Sequence, residues 1–215
     1  MRTPTRCILL ASLSIAPAIV MANSIPADEP VPMVFSSTDR DHPPVKLGDG
    51  CKIRIAPVND VRRNKQTVGY SFAGAFATTG IDTWLRSGLA TIGEYGYPVA
   101  DGESDAAPDD GLLIRASVAK TYTWFVGFKI FGMLVVNAEF ADRSGVIQSK
   151  TYRAFGDKTN VWGAQSELQT TLNYTVNNLL PLIALDLQKL CRRETVAAYT
   201  FGGPEVGATL GTVRQ

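Results

Sequence analysis

Groups able to act as acid, base or nucleophile are thinly spread along this chain. Its 215 residues include one histidine and three cysteines. His42 stands beside Pro43 and Pro44, outside the stretch that reads as a folded domain, so no Ser or Cys of that domain has an imidazole base near it in sequence. There is no GxSxG elbow, no HExxH helix motif and no phosphate-binding glycine loop. Two carboxylates flanking a glycosidic bond are the catalytic arrangement still open, with Asp82, Glu94 and Glu139 as the available acids. That arrangement requires two of them to face each other across a cleft within about 10 Å. Two thiolates and one remote imidazole fall short of a zinc site. The expectation is therefore no catalytic residue, no metal and no cofactor.

Binding chemistry is better represented. The run Trp124-Phe125-Val126-Gly127-Phe128-Lys129-Ile130-Phe131-Gly132-Met133 puts Trp124, Phe125, Phe128 and Phe131 where a turn between two strands ought to be polar. If exposed, such a patch marks a protein or membrane contact; otherwise it folds back and caps the core. Asp60 and Arg62 form an Asp-x-Arg pair that either holds a partner or braces its own loop, with Asp60 accepting local backbone bonds. Arg62, Arg63 and Lys65 make a short basic run that reads as a solvated loop or a contact for anionic lipid or glycan. Glu103, Asp105, Asp109 and Asp110 form an acidic loop whose order fits no EF-hand and which reads as solvated. Asn173-Tyr174-Thr175 is a glycosylation sequon placed inside a predicted helix.

The N-terminus suggests where this chemistry would operate. Arg2 and Arg6 precede a run of about 15 apolar or small residues, Cys7 to Met21, and Val20-Met21-Ala22 supplies a small residue for cleavage. Residues 1–22 are expected to be a secretory signal peptide, since a spanning helix needs about 20 apolar residues. Cys7 stands at the start of this stretch and not directly after it, where a lipidated cysteine would lie. Removing Arg2 and Arg6 from 21 basic residues against 20 acidic ones turns a formal charge of +1 into −1. No concentrated positive charge remains for nucleic acid. In an oxidising compartment the two remaining cysteines, Cys51 and Cys191, are expected to pair. The bridge would close a loop of about 140 residues and stabilise by about 5 kcal/mol on a chain-entropy argument.

The elements that must position these groups show in the changes of period. Residues 23–48 hold five prolines among polar residues and read as a disordered linker, while residues 193–215 gain glycines and read as a flexible tail. Between them, residues 49–192 form the expected domain. Cys51, Ile53 and Ile55 alternate with Lys52 and Arg54, which predicts a strand. Ile81, Trp84, Leu85, Leu89 and Ile92 recur at helical spacing over 81–95. Strands are predicted over 112–124, 131–142 and 146–155, the last two joined at Asp142-Arg143-Ser144-Gly145. Trp162 to Cys191 carries a long apolar stripe and predicts a helix, kinked near Pro181. The order strand, helix, three strands, helix predicts an α+β fold: a four-stranded, mainly antiparallel sheet with two helices packed on one face.

This layout, with Ile53-Arg54-Ile55-Ala56-Pro57-Val58-Asn59-Asp60-Val61-Arg62 at its start, resembles the small envelope lipoproteins of the YajG type over roughly residues 49–190. The resemblance implies an envelope protein, and related envelope domains include accessory subunits of lipid-trafficking transporters. The chain departs from that family in lacking the lipidated cysteine, which puts lipid anchoring in doubt. The functional expectation is a non-catalytic periplasmic or envelope protein that serves as a binding or accessory component of an envelope assembly. Its partner would be an envelope protein or the membrane surface, met through the aromatic turn. The competing expectation is a carboxylate-dependent periplasmic hydrolase.

Overall fold

The computed structural model describes residues 29–40, 42–71, 74–100, 102, 104–159 and 165–202. The expected signal peptide, linker residues 23–28 and tail residues 203–215 lie outside the described residues.

Three long strands form the centre: β6 (Gly111–Val126), β7 (Lys129–Asp142) and β8 (Gly145–Thr159). They pair antiparallel in the order of the chain, within four residues of the predicted limits. Their alternation buries Ile114, Val118, Leu134, Val136, Phe140, Tyr152 and Ala154 on one face. Two helices cover that face, α1 (Ile81–Ala90, continued by a 3-10 turn over Thr91–Tyr95) and α2 (Gln165–Cys191). Residues 162–164 of the predicted helix lie outside the described residues; α2 runs unbroken through Pro181.

The sheet itself is not the predicted four-stranded, mainly antiparallel one. Among the described residues it has nine strands and is mixed, in an α+β fold. The short strands β2 (Lys52–Ile55), β3 (Asn59–Asp60) and β4 (Thr67–Ser71) follow one another along the free side of β6, each parallel to it. The connection through α1 explains the direction, because a strand that reaches its neighbour through a helical crossover returns parallel to it. Beyond β4 lie β5 (Gly74–Thr79), antiparallel to it, and β1 (Val31–Pro32), parallel to β5. On the opposite edge β9 (Tyr199–Gly202) pairs parallel with β8. Apart from β2, whose alternation predicts it, these elements of two to six residues carry too little period to register in the sequence, and their partners complete them.

Close approach of α2 to the sheet depends on two glycines paired across strands, Gly132 on β7 and Gly156 on β8. A Cβ on Gly156 would stand 2.9 Å from the Thr175 backbone nitrogen and 2.6 Å from the Tyr174 Cβ, and one on Gly132 would meet Thr175 Cγ2 at 3.0 Å. The opposite side of α2 is also buried, which explains apolar residues all round its middle turns. Its cover is the Pro-rich segment, whose residues from Glu29 to Gly48, Asp41 aside, lie packed on the domain and so depart from the disordered linker expected there. Asn177 Nδ2 donates to the Ser36 carbonyl at 3.0 Å and to that of Asp39. Asn173 Nδ2 donates to Asp39 Oδ2 at 3.0 Å, and Gln169 Nε2 to the Val34 carbonyl at 3.1 Å. Met33 and Leu47 are buried. Between β1 and the backbone bonds of Leu47 and Gly48 to the Tyr95 carbonyl, the segment is thus held by amide side chains of the helix beneath it. The first residues of the expected flexible tail likewise take a place in the sheet, as β9.

Candidate functional site, an aromatic end of the uncovered sheet face

The sheet face opposite the helices is covered at one end, where the loop around Ala107 packs over Ala56, Leu113 and Ala141; elsewhere it carries no layer among the described residues, and aromatic side chains concentrate at its other end. The β6–β7 turn is a two-residue hairpin in which Gly127, at φ 58, supplies the positive φ that the first central position of a type II′ turn needs. Phe128 at the second position is 80% exposed and Val126 beside it 61%. Behind them Trp124 and Phe131, opposite each other in register, stack at 5.6 Å with planes 18° apart. Tyr122 stacks on Trp124 at 6.5 Å, and Phe155 on β8 meets Trp124 edge-on at 6.2 Å. Phe201 of β9 extends the cluster, 5.1 Å from Phe155 and 60% exposed. Arg153 completes it, with its guanidinium 5.0 Å over the Phe155 ring and its Nε 3.3 Å from Met133 Sδ. Period two places all of these side chains on one face, and cross-strand pairing brings them into contact.

The structure divides the predicted aromatic run. Trp124 and Phe131 stand on the uncovered face and Phe128 at its tip. Phe125 has the opposite parity, is half-buried and packs against the core beneath the helices, as does the fully buried Ile130. Phe155 and Phe201 join the cluster without having been singled out in the sequence. The Tyr199-Thr200-Phe201 alternation is strand-like, and it was the one signal available for Phe201.

Asp60 and Arg62 close on each other. Arg62 Nε and Nη2 donate to the two Asp60 carboxylate oxygens at 2.9 and 2.8 Å, and its backbone N–H donates to Oδ1 at 3.1 Å. Arg62 is only 5% exposed. Burial pushes the Asp60 carboxyl upward, but the bonds from Arg62 outweigh it and hold the group below its ordinary value. The pair therefore braces the bend between β3 and β4. Its bidentate fork is already filled.

The remaining candidates do not converge. Cys51, just before β2, is joined to Cys191 at the end of α2, with Cα atoms 6.1 Å apart. Glu139 lies opposite Arg115 and Ser149 on the uncovered face, whereas Asp82 begins α1 and Glu94 follows it on the other side of the sheet. Glu94 is also held by Arg40 at 2.7 Å. Asp109 pairs with Arg143, Glu103 lies outside the described residues, and no group of three metal-ligating side chains occurs among the described residues. The sequon residues Asn173 and Thr175 are buried within α2. No described helix is long and apolar enough to cross a membrane.

No family's sequence profile matches the chain, and no curated protein matches it in sequence. Solved structures superpose on the chain. A Xanthomonas campestris protein of the DUF330 family superposes with a TM-score of 0.50 at 12% identity, over 77% of this chain and 97% of that one. A hypothetical protein from Chlamydia trachomatis gives 0.47 at 8% identity, over 68% and 100%. A minor lipoprotein from Acinetobacter baumannii gives 0.40 at 13%, over 64% and 90%. The chain is thus similar in fold to a DUF330 protein, and the YajG-type resemblance is narrower than this likeness supports.

Proposed function

We propose that this chain is a non-catalytic, exported component of a cell-envelope assembly that docks on another envelope constituent through its aromatic sheet end. The observation that carries the reading is the exposed tip, Val126 and Phe128, backed by the contiguous rings of Trp124, Phe131, Phe155 and Phe201. Leaving that much apolar surface in water is costly, and a partner would remove the cost. The signal-type N-terminus and the Cys51–Cys191 bridge support an extracytoplasmic setting. The dispersal of Asp82, Glu94 and Glu139 weighs against the hydrolase reading.

The test is retention on isolated cell-envelope fragments, comparing the wild-type chain with Phe128→Asp and Phe131→Asp. Variants that keep the wild-type melting temperature should lose retention. Full retention by well-folded variants of both residues would overturn the reading.

A further inference from the structure

Strand directions bring several apolar features to one end of the molecule. β4, β6 and β9 all run toward the end where the β6–β7 turn lies, since β4 is parallel to β6 and β9 to β8, itself antiparallel to β7. β1 is parallel to β5, which is antiparallel to β4, so the chain enters β1 from that same end.

The side chains at this end follow an order along the strand axis. Phe128 and Val126 lie at the extremity, followed by Trp124 and Phe131, with Tyr122 behind them. Tyr70 follows Gly69, the register partner of Thr123, and so stands beside Trp124 one strand over, also exposed. Two strand residues advance by about 7 Å, so Trp124 stands about that far behind the tip. Exposed apolar side chains at the tip, Phe128 and Val126, with amphipathic rings about 7 Å behind them match a bilayer interface. There, apolar side chains enter the acyl boundary by about 5–10 Å, and Trp and Tyr sit at headgroup level. Lys129, the register partner of Val126, stands at the same extremity, with its ammonium 2.7 Å from the Asp157 carboxylate.

We infer that the constituent met by the aromatic end is the lipid bilayer surface itself, with the β6–β7 hairpin inserted at the interface and the sheet standing away from it. This rests on the docking reading above and names its partner.

The test places a reporter at each end of the full chain, Phe128→Trp at the tip and Val146→Trp in the exposed β7–β8 hairpin at the opposite end. Each is mixed with vesicles of phosphatidylethanolamine and phosphatidylglycerol carrying brominated acyl chains. Relative to wild type, Phe128→Trp should show added quenched emission and Val146→Trp should show none. Phe128→Asp should weaken vesicle binding by about tenfold or more. Equal quenching at the two ends, or quenching at neither, would overturn the bilayer assignment. Should envelope retention depend on Phe128 while lipid vesicles are ignored, the docking reading stands and the partner is a protein. Should neither depend on Phe128, both fail.

Discussion

Lys150 on β8 and Asp186 on α2 meet inside the core, with the ammonium 2.5 Å from Oδ2 and the lysine side chain only 2% exposed. Tyr152 donates its hydroxyl to the same oxygen at 2.7 Å, and the ammonium stands 4.9 Å over the Tyr152 ring. Neither charge is tolerable there alone, and the pair cross-links helix and sheet next to the disulfide end. Lys150→Met leaves a buried carboxylate with one neutral donor and should destabilise by about 3–5 kcal/mol in urea unfolding. Adding Asp186→Leu should recover most of that loss. Losses that simply add, leaving the double variant less stable than the single one, would show that the two groups act independently.

The Cys51–Cys191 bridge should appear as a chain two hydrogens lighter in non-reducing mass measurement than after reduction. Replacing both cysteines by alanine should lower stability by up to about 5 kcal/mol, because the 140-residue separation leaves a large loop free in the unfolded chain. Guanidinium midpoints of the oxidised and the substituted chain check it.

Gly156→Ala should cost about 1–3 kcal/mol, since the new methyl would press on the backbone of α2 and not on a movable side-chain end. Gly127→Ala offers a contrast. Nothing lies within 4 Å of a Cβ there, so its cost is confined to the positive φ of the turn, and α2 should remain undisturbed. Thermal melts of both variants, with near-ultraviolet circular dichroism of the core aromatics, separate the two effects.

Alkaline pH should unfold the protein through its buried phenols. Burial pushes the Tyr95 hydroxyl up to about 12, and burial also raises Tyr97 and Tyr152, the latter further opposed by the Asp186 charge. A folded pKa above the unfolded one contributes stability that is complete below about pH 10 and lost as pH rises toward 12. Absorbance at the phenolate band should therefore rise in two steps, with Tyr95, Tyr97 and Tyr152 titrating only as ellipticity is lost. Replacing Tyr95 by phenylalanine should shift that loss to higher pH.

Much of the architecture is legible in residue order alone. The three long strands and α2 declare themselves because 10 or more residues of sustained period record which side of an element is buried. The pairing of Cys51 with Cys191 follows from there being no other cysteine in the expected exported chain. Asp60 and Arg62 are close enough in sequence that their ion pair was one of two readings at the outset.

What the sequence could not determine is who neighbours whom. Period says that β2 is half-buried but not that it lies parallel to β6, and strands as short as β1 and β3 have no period at all. The Pro-rich segment from Glu29 to Gly48 takes its place through residues far away in sequence, among them Asn173 and Asn177, 130 residues or more distant, which supply hydrogen bonds to it. The aromatic end is likewise a tertiary product. Trp124, Phe131, Phe155 and Phe201 come from four strands, and their rings meet because the sheet register aligns them, while Phe125, adjacent to Trp124 in sequence, turns to the other face. Side-chain parity along one strand is local physics; contact across strands depends on chain reversals that only the folded molecule sets.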